Sequence, residues 1–494
     1  MCGIVGIIGN KEVFVEVYEG LICLQHRGQD SAGIATYNNQ FHLKKGLGLV
    51  RDIFHQEDIE YLKGNVAIGQ VRYPTVGGGV IEDAQPFIVN SPYGITMVHN
   101  GNIFNFDQLK QELFKDNLRH INSNCDVEAI LNVFAYELHR VCHHDFFETV
   151  CQAVESVYQR SKGAYSVVAI IAGKGLVAFR DPYGIKPLVW GQRKSTFKTE
   201  HIFASEPTMF RILDFEFFRD LEPGEVVYVD LKGEVKTRIV NKKKFTPCIF
   251  EYVYFARPDS ILNNVSVYRA RLRMGQNLGE KIKKYYPNLE IDAVIPAPES
   301  AVPAAMSLAK ELGVRFTIGL IKNHYFGRTF IMPGQSIRKR ANQFKLSPLE
   351  LEIKDKNILI LDDSIVRGNV SRHIVKLMRD AGAKKVYFAS ASAPLRWPCL
   401  YGIDLPAREE YIANNLTEEE IAKSIGADLV IYQDLDDLVE AVCRKGDVHF
   451  DHPCTACFSG QYPTGDVTEE ILKEVENVRK VDRVSIEEKS AMMF

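Results

Sequence analysis

Three sets of side chains in this 494-residue chain could do chemistry. The first is at the amino terminus. Met1 precedes a small residue, so its removal would leave Cys2 carrying a thiol and an α-amine together. Such an amine has a reference pKa of about 7.7–8.0 and can act as general base for its own thiol near neutral pH. The plainer use of Cys2 is to open a strand. The second set lies in ILILDDSIVRGNVS, Ile358 to Ser371. Ile358 to Leu361 is too short for a helix and is bounded by charge, which suits a buried strand of a parallel sheet. Asp362 and Asp363 then stand at its carboxyl end, where open α/β sheets place their ligands. Adjacent carboxylates can accept hydrogen bonds from vicinal hydroxyls or hold Mg2+ through waters. The loop from Ser364 to Val370 leads into a helix, and such a junction favours phosphate. A phosphorylated sugar satisfies both halves; a simple helix cap would use the same two carboxylates. The third set is cysteines. Cys454 and Cys457 form a CxxC that suits redox chemistry, zinc or neither. With Cys248 and Cys399 they make four thiolates, enough for a 4Fe-4S cluster or tetrahedral zinc.

These residues need elements to hold them. Ile374, Leu377, Met378 and Ala381 recur at i, i+3, i+4, i+7 with Gly382 as a stop, predicting a helix. Val386 to Ala389 predicts the next strand, so the Asp pair sits in a βαβ unit. Asp292 to Ile295 predicts another strand, leading into PAPESAVPAA. Near the amino terminus, Val66 to Ile68 predicts a strand before Arg72 and a glycine-rich turn, and Arg27 sits among small and turn-forming residues. His99-Asn100-Gly101 by itself reads as a hairpin turn. Asn241 to Phe245, with three lysines, reads as a domain boundary.

Composition narrows the class. The length asks for two or more domains, and 46% hydrophobic with 25% charged residues is that of a globular chain. A net charge of −3 gives no general attraction to nucleic acid or to anionic membrane. No apolar run reaches the roughly 18 residues of a membrane span, and MCGIVGIIGN lacks the basic start of a signal peptide. Ten cysteines without a secretory signal point to thiol or metal chemistry rather than disulfides. A cytoplasmic protein is expected. Cys125, Cys142, Cys151 and Cys443 are expected to pack in the core.

Longer strings bring resemblances. LDDSIVRG resembles the PRPP (5-phosphoribosyl-1-pyrophosphate) signature of type I phosphoribosyltransferases. That resemblance implies Asp362 and Asp363 on the ribose hydroxyls, with Ser364, Arg367, Gly368, Asn369 and Ser371 around the 5′-phosphate. The family usually continues with two threonines, where this chain has Asn369 and Val370. MCGIVGI, CLQHRGQDSAGIA, GQVRYPTVGGG and MVHNGNIFN together resemble the glutaminase domain of amidotransferases with an N-terminal nucleophile. This implies attack by Cys2 on a glutamine amide and an oxyanion hole from Asn100 and Gly101. It also implies Arg72 on the glutamine α-carboxylate, Asp126 on its α-ammonium and Arg27 ordering the site. AFRDPYGIKPLVWG, FASEP and LEPGE continue the match.

CIFEYVYFARPDS and SVYRARLRMG match the glutamine PRPP amidotransferase family, and HPCTACFSG with Cys399 resembles its iron–sulfur branch. By this resemblance Ser300 joins Asp362 and Asp363 around Mg2+, with Glu299 and Ala301 where the family has Asp and Gly. The basic stretch 324–349 would be a lid over PRPP, with Arg328, Arg338 and Lys345 on pyrophosphate, although taken alone it reads as a nucleic-acid patch. Cys248, Cys399, Cys454 and Cys457 would hold a 4Fe-4S cluster. The implied fold is α+β and α/β: an αββα glutaminase sandwich over 2–240, then a type I phosphoribosyltransferase domain with a mainly parallel sheet over 241–465. A helical tail over 466–494 follows. The implied reaction converts PRPP, glutamine and water to 5-phosphoribosylamine, glutamate and pyrophosphate, in a homodimer or homotetramer inhibited by purine nucleotides. Two alternatives share features. A sugar-phosphate aminotransferase such as glucosamine-6-phosphate synthase shares the first domain but not LDDSIVRG. A PRPP-binding regulator that has lost catalysis fits Asn369, Val370 and Glu299, but has no use for Cys2.

Overall fold

The computed structural model describes every residue except 74–79, 142, 324–345, 445–449, 451 and 480–494. The glycine-rich turn after Arg72, the basic stretch with Arg328, Arg338 and Lys345, and Cys142 lie outside the described residues.

The strand Gly3–Ile8 is buried along its whole length. It pairs antiparallel with Val66–Arg72 on one side and Glu200–Ala204 on the other, inside a seven-stranded sheet. A second sheet of six strands sets Ile95–Ile103 beside Gly163–Ile171. Because alternate side chains leave a strand on opposite faces, Ile4, Ile8, Ile68, Val98, Val168 and Phe203 meet between the sheets. Each such fully buried side chain contributes about 1.5–3 kcal/mol by leaving water. Outside the first sheet lies the helix Phe14–Cys23, whose Val17 and Leu21 press onto Gly69. The second sheet is covered by Asp126–Arg140 and Phe146–Arg160, through Ile130, Phe134, Val150 and Val154 against Val167 and Phe179. The order of layers is αββα.

His99-Asn100-Gly101 does not form a hairpin turn. It lies within the nine-residue strand Ile95–Ile103, in register with Tyr165 to Val167. Glycine is required at 101 by contact rather than by turning, since a Cβ there would stand 2.2 Å from the Ala164 carbonyl oxygen.

The second half is built on five parallel strands in the order Arg315–Phe316, Ala293–Pro296, Asn357–Asp362, Lys385–Ser390, Leu429–Tyr432. The predicted strand at Ile358 to Leu361 is present, longer by one residue at each end. Its side chains alternate between two cores, as a sheet covered on both faces requires. Ile358 and Ile360 meet Ile374, Val375 and Met378 of the helix Asn369–Asp380. Leu359 and Leu361 face Met274, Leu278 and Leu308, from the helices Val267–Tyr285 and Val302–Leu312. A helix over 469–479 closes the described chain. Its Arg479 donates to the carbonyls of Leu405 and Cys399, each at 2.6 Å. Among the described residues no helix is long and apolar enough to cross a membrane.

Candidate active sites

Cys2 immediately precedes the central strand of the first sheet, Gly3–Ile8, and the predicted glutaminase residues gather around it. Its backbone N–H donates to Asn100 Oδ1 at 3.2 Å, and its carbonyl accepts from Arg27 Nε at 2.9 Å. The Asn100 Nδ2 is buried without a partner, which leaves one amide donor unused next to the Cys2 backbone. Cys2, Arg72, Gly101 and Asp126 line one small pocket with Tyr73, His99 and Asn102. Arg72 Nη2 lies 3.9 Å from Asp83 Oδ2.

Arg27 is fully buried, and its guanidinium is shared between two carboxylates. It reaches Glu206 at 2.5 Å and Glu251 at 2.7 Å and 3.0 Å. Burial works against the Glu206 carboxylate, but Arg27, His26 and the Ser260 hydroxyl outweigh it and hold its pKa well below the usual carboxylate range. Because Glu251 lies beyond the lysine-rich stretch at 242–244, this network ties the backbone of Cys2 to the second half of the chain.

His99 and Gln85 were not singled out by sequence. Gln85 Oε1 accepts from the His99 backbone N–H at 2.8 Å, which turns its amide nitrogen toward His99 Nδ1 at 2.9 Å. An Nδ1 that accepts leaves the ring proton on Nε2. That nitrogen stands 3.1 Å from Asp126 Oδ1, while Asp126 Oδ2 accepts from Ile103 N–H at 2.9 Å. Burial raises the pKa of Asp126, but His99, the Ile103 amide and Arg72 overcome it and keep the group an anion. The only sequence signal was that His99 adjoins Asn100; nothing marked Gln85. Cys125 borders the same pocket, and burial pushes its thiol up to about 12, leaving it inert at neutral pH.

The second site lies at the carboxyl end of the strand Asn357–Asp362. Asp363 is buried; its Oδ2 accepts from Ser300 Oγ and its Oδ1 from Ser364 Oγ at 2.7 Å. Asp362 Oδ1 accepts from the Asp363 amide at 2.9 Å. Burial raises the pKa of both carboxylates; the neighbouring charge of Asp363 lifts Asp362 further, while Ser300, Ser364 and Arg271 moderate Asp363. Two crowded carboxylates of this kind favour a cation or hydroxyl donors between them. Gly368, at φ +74°, starts the helix Asn369–Asp380 and brings the 365–370 loop to its N-terminus. Ser371 is buried in the first turn, Asn369 and Val370 are exposed, and Arg367 Nε pairs with Glu410 at 2.9 Å.

The four cysteines of the proposed cluster come together from three separate segments. Cys248 and Cys454 are bridged backbone to backbone, and the Tyr401 amide donates to Cys399 Sγ at 3.3 Å. All four are buried. Burial, and then the neighbouring thiols, raise the pKa of Cys454 and Cys457 well above the ordinary value. Burial pushes Cys248 up to about 12, with Cys399 adding to the rise. Among the described residues no three Cys, His, Asp or Glu side chains close around a single ion. A cubane with one thiolate on each iron spreads its ligands more widely.

A larger cleft of about 630 Å³ lies away from both sites, between Val267–Tyr285 and Leu435–Val442. Its charges are mixed, with Lys281 on Asp434 at 2.7 Å.

Comparison with known proteins agrees with this geometry. Residues 76–211 match the glutamine amidotransferase domain and residues 265–394 the phosphoribosyl transferase domain. The chain is 50% identical to an amidophosphoribosyltransferase of Pseudomonas aeruginosa, over 97% of this chain and 96% of that one. It is 46% identical to that of Escherichia coli, over 99% and 97%. Among solved structures it matches the Bacillus subtilis glutamine PRPP amidotransferase complexed with ADP and GMP, with a TM-score of 0.84, 33% identity, and coverage of 96% and 100%. An allosteric regulatory enzyme of purine biosynthesis matches with a TM-score of 0.85, 34% identity, and coverage of 96% and 99%. The chain belongs to the amidophosphoribosyltransferase family.

Proposed function

We propose that the chain makes 5-phosphoribosylamine from PRPP, glutamine and water, the first step of purine nucleotide synthesis, by joining two half-reactions. In the first half, Met1 is removed and the Cys2 nitrogen becomes an amine beside Asn100 Oδ1, at 3.2 Å in this structure. That amine takes the thiol proton as Sγ attacks the side-chain amide carbon. The Asn100 amide and the Gly101 N–H stabilise the oxyanion. As the intermediate collapses, the proton passes to the leaving nitrogen, ammonia departs, and a γ-glutamyl thioester remains for water to cleave to glutamate. Arg72 and Asp126 hold the two charged groups of glutamine, and Arg27 fixes the Cys2 backbone.

In the second half, Asp362 and Asp363 accept the ribose hydroxyls, and the loop of Ser364, Arg367, Gly368, Asn369 and Ser371 takes the 5′-phosphate. Ser300, Asp362 and Asp363 are the residues that would hold Mg2+, which when bound neutralises charge on the departing pyrophosphate. Ammonia forms the new bond to the anomeric carbon as the bond to pyrophosphate breaks. Arg328 and Lys345, assigned to the lid, lie outside the described residues. Free ammonia would become ammonium and lose its nucleophilicity, so we assign it an internal apolar route between the sites.

Cys248, Cys399, Cys454 and Cys457 fit a 4Fe-4S cluster that ties the carboxyl-terminal segment to the transferase core. Four buried thiols from three segments support this reading. Protein purified without oxygen should contain about four irons per chain; stoichiometric zinc without iron would refute it. Purine nucleotides as feedback inhibitors and assembly into a homodimer or homotetramer are part of the same proposal. The division at residues 240 and 465, and a cytoplasmic location, complete it.

The observation that carries the function is the meeting of Cys2, Asn100, Arg72 and Asp126 in one half of a chain whose other half carries the Asp362–Asp363 pair. A Cys2→Ala variant should lose glutamine-dependent synthesis and retain ammonia-dependent synthesis. Loss of both activities would refute two separable sites.

A further inference from the structure

The oxyanion strand is gripped from both sides, and one of the two grips comes from the other half of the chain. On one side Gly101 lies against the Gly163–Ile171 strand, where a Cβ on residue 101 would stand 2.2 Å from the Ala164 oxygen and 2.6 Å from Tyr165 Cα. On the other side lies Gly402. A Cβ there would stand 2.8 Å from the Gly101 carbonyl carbon, 2.9 Å from its oxygen and 3.1 Å from its Cα. Residue 402 also has φ +97°, a conformation that side chains other than glycine's rarely adopt. Next to this contact, Asn102 Nδ2 donates to the Leu400 carbonyl at 3.0 Å, a buried bond linking residues 298 apart. The turn that supplies both contacts is anchored in its own right. Cys399 Sγ accepts from the Tyr401 amide at 3.3 Å, and its carbonyl accepts from Arg479 at 2.6 Å. The Tyr401 hydroxyl meets Thr464 Oγ1 at 2.8 Å.

We propose that the turn Cys399 to Gly402 is a positioning element for the glutaminase oxyanion hole, acting through Gly402 on the Gly101 backbone and through the Leu400 carbonyl on Asn102. The proposal rests on the reading of Gly101 as an oxyanion donor. A backbone donor is effective only when held to within about 0.5 Å of where the negative charge develops. Gly101 has no side chain with which to fix itself, so it is fixed by what touches it. Any carbon added at residue 402 must push the turn away from Gly101 or push Gly101 out of line. The groups assigned to the two ends of glutamine are placed by other neighbours, Arg72 beside Asp83 and Asp126 beside His99 and the Ile103 amide. The expected defect is therefore in the reaction and not in glutamine binding.

The test is a kinetic split in full-length protein with PRPP and Mg2+ present. Gly402→Ala should lower kcat for glutamate release roughly 100-fold, the cost of losing one oxyanion donor. The KM for glutamine and the rate of ammonia-dependent synthesis should both stay within about twofold. Tyr401→Phe, which removes only the hydroxyl that anchors the turn on Thr464, should show the same split with a smaller fall, roughly tenfold. It carries the test alone if Gly402→Ala does not accumulate as folded protein. An unchanged kcat, a rise in KM alone, or an equal loss of ammonia-dependent synthesis would each overturn the proposal. Cys2→Ala separates the two levels: glutamine use surviving in that variant would refute the glutaminase reading itself. Loss there combined with a normal Gly402→Ala would refute only the role of the turn.

Discussion

At the scale of single residues, His99 shows what a motif does and does not reveal. The string around Asn100 and Gly101 resembles a glutaminase and points to both; His99 stands beside them with no role of its own in that string. Its role comes from partners distant in sequence: Gln85 sets its tautomer, and it presents Nε2 to Asp126 at 3.1 Å. Leaving a buried polar group short of its neighbour costs about 1–3 kcal/mol. His99→Ala should therefore raise the glutamine KM about tenfold or more while leaving ammonia-dependent synthesis unchanged, measured by initial rates with each nitrogen source. A fall in kcat with unchanged KM would instead place His99 in the chemical step. Arg27 differs in the same way. Sequence put it in the site, but its two buried carboxylates, Glu206 and Glu251, come from segments more than 170 residues away. No local pattern announces such a pairing. The side chains of Asp362 and Asp363 needed no distant partner to be read, because their place at a strand's end already defines their setting.

At the scale of elements, periodicity carried the transferase half well. The strand through Leu359, the helix through Ile374 and the strand through Phe388 were all legible, because burial on both sheet faces leaves unbroken apolar runs. The strand Ile95–Ile103 was not, since Asn-Gly is also the common signal of a hairpin turn. What decides is the neighbouring strand, which admits only glycine at 101. Pairing of strands also creates a pH-sensitive contact. The Val189–Arg193 strand lies beside Glu200–Ala204, and Trp190 Nε1 donates to His201 Nδ1 at 3.1 Å. Burial lowers His201 to about 4, against about 6.5 for the unfolded chain. Between those values the unfolded state binds more protons, so stability falls as pH drops from about 6.5 to 4 and is unaffected by this group above that window. The full difference is about 3 kcal/mol. In thermal unfolding across pH 4–7, His201→Gln should show a flatter dependence than the parent chain. Parallel curves would remove His201 from the account.

At the scale of the whole molecule, the two halves share one apolar core. Met1, Ile249, Phe250 and Val253 belong to the same buried cluster as Leu359 and Leu361 of the parallel sheet. Across that join run the Arg27–Glu251 pair and the contact of Gly402 with Gly101. Breaking a buried ion pair by removing one partner costs about 3–5 kcal/mol, so these ties hold the glutaminase residues in register with the transferase half. Sequence could divide the chain at its lysine-rich boundary, yet it could not show this join, because the contacts are made by residues hundreds of positions apart. On the proposed function, release of ammonia from glutamine at one site is coupled to use of PRPP at the other. This coupling is tested most directly by following glutamate and pyrophosphate together in protein purified without oxygen, with PRPP, Mg2+ and glutamine supplied singly and in combination. The account predicts that both products form in equal amounts, and only when all three are present. Glutamate without pyrophosphate would contradict the role given to Asp362 and Asp363, and the absence of both products would indicate a PRPP-binding regulator instead of an enzyme.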